Sequence, residues 1–131
     1  MTETALQRAI VDSLRLTYGR NMDLMRTQSG RVRKGRSWIY LCPEGTPDLC
    51  GCLHGRFFAL EVKLPGEDPT PVQLERHAEL RRAGAVVTVV HSVTEAVAAL
   101  SQLHKDILTE ARCLEMARAI VEDGVPPTET G

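Results

Sequence analysis

A mixed β-sheet flanked by helices, in the α/β class, is the fold that this chain of 131 residues predicts. Three observations point to it. Apolar residues recur at helical spacing over residues 3–18, short β-branched and aromatic segments follow between residues 37 and 63, and the second half alternates helix and strand signals. With 43% hydrophobic and 25% charged residues, the composition fits one globular core that needs no disulfide or metal to hold it.

The elements can be justified in order. Ala5, Leu6, Ala9, Ile10, Ser13, Leu14 and Thr17 line one face of a helix that ends where Gly19 can serve as its C-cap. Residues 22–27 can form a strand, and residues 28–36 read as an exposed basic loop. Ser37 to Cys42, with Trp38 and Tyr40 on one face, predicts a packed strand that Pro43 and Pro47 bring to an end. Residues 48–53 and 56–63 are two strands joined by a tight His54-Gly55 turn, hence a hairpin. Thr70-Pro71-Val72-Gln73 combines an N-cap, a proline at the first helical position and a glutamine three residues after the cap, so a helix is expected over 71–83. Ala85 to Val90 then reads as a buried strand parallel to a neighbour, because a helical crossover precedes it. Ser92 and Glu95 repeat the capping signature for a helix over 92–103, and apolar spacing from Ile107 to Val121 gives a last helix before Gly124.

Charge is sorted along the chain. Residues 1–40 hold 8 Lys/Arg against 3 acids, and the remaining 91 hold 8 against 14. A basic end suits a polyanion, whose condensed counterions are released on binding, although a solvated basic loop would look the same. No apolar run nears the ~20 residues that span a bilayer, so no membrane partner is expected. Glu3, Arg8 and Asp12 interrupt the apolar stretch that an export signal requires, so a cytoplasmic location and reduced cysteines are expected. Cys50, Cys52 and His54 form a loose metal-clip pattern that lacks the usual Cys-x2-Cys spacing, and packing thiols are the simpler reading.

The chemistry concentrates in Gly45-Thr-Pro47-Asp48-Leu49 and in Phe57 to Lys63. The second strand is apolar on both faces until it ends in Glu61 and Lys63, whose desolvation requires a charge partner or a wet cleft. If Asp48 lies on the neighbouring strand, its carboxylate converges with that of Glu61, and the pair repels unless a divalent cation sits between. Mg2+ or Mn2+ suits two carboxylates with open water positions, and Lys63 can then act on an attacking water and a phosphate. A phosphoryl-transfer site follows in outline, with no organic cofactor.

Asp48 preceded by Pro47, then Glu61-Val62-Lys63, resembles the PD-(D/E)XK nuclease superfamily. The longer string, with Pro71-x-Gln73 and Gly84-Ala85, is similar to its virus-type replication and repair nuclease branch, the VRR-NUC domain. The resemblance covers residues 1–104 and leaves outside it the terminal helix, bounded as 105–123, and a tail over 124–131 that is expected to be flexible. The resemblance implies a restriction-endonuclease-like core in which Asp48, Glu61, the Val62 carbonyl and Glu3 bind Mg2+ or Mn2+. Lys63 would act on the water, and Gln73 would support the site unless it only caps its helix. The implied activity is hydrolysis of phosphodiester bonds in branched DNA such as four-way junctions, leaving 5′-phosphate and 3′-hydroxyl ends. Stand-alone domains of this branch imply a homodimer and a phage or bacterial setting. Arg31, Arg33, Lys34 and Arg36 are the expected phosphate contacts. The rival reading is a DNA-binding or subunit module that keeps the fold without turnover.

Overall fold

The computed structural model describes residues 1–124, so most of the tail expected over 124–131 lies outside the described residues. Four strands form one sheet in the order β1–β4–β5–β6: β1 (Met22–Arg26), β4 (Leu49–Leu53), β5 (Arg56–Val62) and β6 (Val86–Val90). The first three are antiparallel and β6 runs parallel to β5, as a helical crossover requires. Between β1 and β4 a second sheet is inserted, a hairpin of β2 (Arg31–Lys34) and β3 (Ser37–Tyr40).

Three layers result. On one face α1 (Glu3–Tyr18) and α3 (Val93–Asp123) cover Leu24, Leu49, Leu53, Phe58, Leu60 and Val62. On the other face α2 (Pro71–Arg82) lies over a smaller cluster of Cys50, Ala59 and Val87, joined by Leu80 and Ala85. With helices on both sides, β5 from Phe58 to Val62 is buried throughout, which is why its sequence is apolar at consecutive positions. The β4–β5 turn has positive φ at both His54 (46°) and Gly55 (84°), the backbone of a two-residue primed turn.

Two elements depart from expectation. Residues 28–36 do not form a loop, because Arg31 to Lys34 pair with Ser37 to Tyr40 around a turn at Gly35, where φ is +61°. Trp38 and Tyr40 therefore stand on an exposed arm instead of packing in the core. The helices expected over 92–103 and 107–121 are one continuous α3, since no glycine or proline between Leu103 and Ile107 interrupts the ladder. Gly124 caps it in the left-handed conformation, and its N–H reaches the Ile120 carbonyl. No helix of the described residues is long and apolar enough to cross a membrane.

Candidate active site

Asp48 immediately precedes β4, and its position is set by the turn before it. The Thr46 N–H donates to the Pro43 carbonyl at 3.2 Å with φ of +80° at Gly45, the third residue, which is a type II signature. Gly45 is also where the turn touches α2: a Cβ there would lie 2.6 Å from the Val72 carbonyl oxygen. Arg76 Nε donates to Thr46 Oγ1 at 3.2 Å and fastens the same contact from the next helical turn. The Pro47-Asp48 segment is thus clamped between the start of α2 and the end of β1, where the Thr27 N–H donates to the Asp48 carbonyl at 2.9 Å.

The Asp48 side chain points along the sheet to the end of β5. Its Oδ2 accepts the Val62 N–H at 2.9 Å, and its carboxyl group meets that of Glu61 in a side-chain hydrogen bond. Glu61 is only 1% exposed. On the α2 side its Oε1 lies 3.0 Å from Nε2 of His77, which is fully buried. Burial pushes the Glu61 carboxyl up to about 9; the hydrogen bond with Asp48 and that residue's charge add to the shift, and Lys63 opposes it. Burial and the neighbouring Asp48 carboxylate thus favour the protonated form of this group.

Burial lowers the His77 pKa, and Arg81 reinforces the effect, so its imidazole is neutral. Its Nδ1 is buried with no partner among the described residues. A bare acceptor costs less there than an orphaned N–H, which assigns the proton to Nε2 and makes His77 the donor to Glu61. In the sequence His77 is simply one residue of the helix expected over 71–83. Only the docking of α2 on β5 reveals its partner, and the signal in the sequence was no more than its position one helical turn after Gln73.

Glu3, in the first turn of α1, shares the same region. Burial raises its pKa first, and the charge of Asp48 raises it further while Lys63 lowers it. Lys63 follows β5, anchored by its N–H to the Val90 carbonyl at 3.0 Å, with its side chain half-buried. Asp48, Glu61, Lys63 and Glu3 are thus drawn together at one end of the sheet.

Gln73 is engaged otherwise: its Oε1 accepts the Thr70 N–H at 2.9 Å, while its own N–H donates to Thr70 Oγ1, a complete capping box. Arg31, Arg33, Lys34 and Arg36 ride on the exposed β2–β3 arm. His54 sits at the opposite end of the sheet, its ring edge against His104 with centroids 5.0 Å apart. The four cysteines are free.

Among the described residues no group of three or more His, Cys, Asp or Glu side chains forms a ready-made metal cluster. The donor chemistry nevertheless fits a hard divalent ion. Two carboxyl groups in contact, one forced to keep its proton by burial and its neighbour's charge, are a pair that a cation would relieve. Mg2+ needs only one or two carboxylates and completes its shell with water and substrate oxygens.

No family profile matches the chain. It is 41% identical over 66 residues to "Putative nuclease p44" of Acyrthosiphon pisum secondary endosymbiont phage 1, a match spanning 47% of this chain and 71% of that protein. A solved structure described as a VRR_NUC domain superposes with a TM-score of 0.55 at 29% identity, covering 76% of this chain and 94% of the other. On these two likenesses, with a mixed sheet flanked by helices, the chain belongs to the VRR-NUC family of nucleases.

Proposed function

We propose that the chain is a divalent-metal-dependent endonuclease that hydrolyses phosphodiester bonds in branched DNA, four-way junctions among them, during replication, recombination or repair. The observation that carries this reading is the contact between the Asp48 and Glu61 carboxyl groups with Lys63 beside them. A domain that only binds DNA gains nothing from two acids aimed at a polyanion, since they repel it.

Asp48, Glu61, the Val62 carbonyl and Glu3 are the groups that would hold Mg2+ or Mn2+. When bound, the ion supplies neutralisation of charge on the scissile phosphate and a lowered pKa for attacking water. The chain's own residues do the rest. The Val62 N–H fixes Asp48 by its Oδ2, and His77 fixes Glu61 by its Oε1, so each carboxylate keeps its other oxygen for the site. Lys63 places a compact positive charge where a phosphate and a water can both meet its ammonium. Gln73 stiffens the start of α2 through its capping box, and by the clamp at Gly45 it steadies the turn that carries Asp48.

The relative from a phage supports a setting in the cytoplasm of a bacterial or phage-infected cell. A homodimer suits the reaction, because a four-way junction needs two symmetric cuts. The exposed Leu108, Leu114, Ile120 and Val121 of α3 offer apolar surface for it.

The test is a cleavage panel of four-way junction, flap, nicked and linear DNAs with Mg2+, Mn2+ or EDTA. Metal-dependent cutting of the branched substrates is expected, with Lys63→Ala slower by about 10²-fold or more. Cutting that persists undiminished in EDTA, or in Lys63→Ala, overturns the assignment, and binding without turnover in either metal points to the non-catalytic module.

A separate measurement addresses His77. Replacing it with Phe keeps an aromatic ring but removes the donor, and should weaken Mn2+ binding by roughly 10- to 100-fold in calorimetry at fixed pH. His77→Gln, which restores an N–H near the same place, should stay within a few-fold of wild type. Equal affinities for the Phe variant and wild type would reduce His77 to packing.

A further inference from the structure

The β2–β3 arm was expected to hold phosphates only, yet its face is built for more. Arg31 pairs across the hairpin with Tyr40, and Arg33 with Trp38, so strand alternation brings these four side chains to one face. The Arg31 guanidinium carbon lies 4.2 Å from the Trp38 ring centroid and that of Arg33 lies 5.8 Å away. All eight strand residues are exposed, Trp38 at 45% and Tyr40 at 74%. From residue 24 to residue 43 the chain carries five arginines and lysines and no acid.

The arm is not remote from the chemistry. It leaves the body at Thr27, whose N–H is bonded to the Asp48 carbonyl, and returns through Cys42, whose N–H is bonded to the Gln28 carbonyl at 3.0 Å. At its base a groove of about 350 Å³ opens beside Tyr40, its lining including Gly30, Arg31, Cys42, Pro43 and Glu44, within the size range of small-ligand clefts.

A duplex offers such a face its phosphates alone, since its bases are paired and stacked on each other. Arginines suffice for phosphates, and water-exposed Trp and Tyr add nothing to that contact. Interleaved guanidinium planes and aromatic rings are instead the elements on which splayed-out bases stack while their phosphates are neutralised.

We infer that the Arg31, Arg33, Trp38 and Tyr40 face binds unpaired DNA bases by stacking, so that the arm selects DNA with an unstacked strand, as at a flap, gap or branch point, over continuous duplex. The inference rests on the DNA reading given above and specifies how that substrate is recognised. It requires no metal.

Trp38 is the sole tryptophan of the chain, so its fluorescence reports stacking directly. The full chain is titrated in EDTA with single-stranded oligothymidylate and, separately, with a duplex of equal length, while the anisotropy of a label on the DNA follows binding. Single strands should quench Trp38 strongly and the duplex weakly at equal occupancy. Tyr40→Ala should lower single-strand affinity about tenfold with less than a twofold effect on duplex. Arg31→Ala should weaken both and flatten the salt dependence. Equal quenching by the two DNAs, binding without quenching, no binding of single strands, or an equal loss of both affinities in Tyr40→Ala overturns the inference. Metal-dependent cleavage by wild type alongside any of those results leaves the nuclease reading standing. Strong single-strand quenching in a chain that never cleaves sinks the nuclease reading and keeps the stacking face.

Discussion

Glu61→Gln loses phosphodiester cleavage by at least about 10³-fold and yet, without metal, melts above wild type in alkaline solution. Both halves follow from the same carboxyl group. Gln removes a negative ligand that the proposed chemistry needs. It also removes an acid whose ionisation the fold opposes. The folded-state pKa of about 9 stands above the ordinary 4.5, so between those values the folded chain holds a proton that the unfolded chain has released. Stability contributed by this group is therefore complete below about pH 4.5 and is lost as pH rises toward 9. Gln can still donate to Asp48 and accept from His77 at every pH, so its advantage should grow from near nothing at pH 5 to about 5 °C or more at pH 8.5. Mn2+ should raise the wild-type melting point most at the higher pH, where displacing the proton is easiest. Differential scanning fluorimetry across pH reads all of this, and a wild-type pH profile parallel to that of the variant would show that Glu61 is an ordinary acid.

The largest loss of stability is expected from Gly51→Ala. Gly51 lies in the middle of β4, where β1 approaches so closely that a Cβ would stand 2.0 Å from the Asp23 carbonyl oxygen and 3.0 Å from the Phe58 ring. The first of these is backbone, held in register along the whole of β1, and cannot step aside as a flexible side chain would. A cost of about 3 kcal/mol or more is expected, measured by urea unfolding. Because β1 ends at the root of the arm, single-strand binding should fall with it. A variant as stable as wild type would mean that β1 shifts without resistance.

Much of this was legible from the residues because the signals were local. The capping box at Thr70 and Gln73, the His54-Gly55 turn and the apolar run of β5 each depend on neighbours a few positions away. The convergence of Asp48 and Glu61 needed only the β4–β5 register in addition. The arm was missed as a hairpin because both of its faces are solvated. Arg31-Val-Arg-Lys34 gains its strand pairing without burying an apolar side, so no hydrophobic alternation betrays it. Trp38 and Tyr40 were misjudged for the same reason, since aromatic strand residues normally signal a core. His77 was unreadable because its partner stands on β5, brought there by the docking of α2. Gln73 showed its capping role in the sequence, and the bond to Thr70 accounts for its Oε1.

One residue links the root of the β2–β3 arm to the proposed active site. The carbonyl of Asp48 receives the Thr27 N–H while its side chain faces Glu61. A strand held by the arm as inferred above would load Thr27, whose N–H bonds to the very residue that carries this carboxylate.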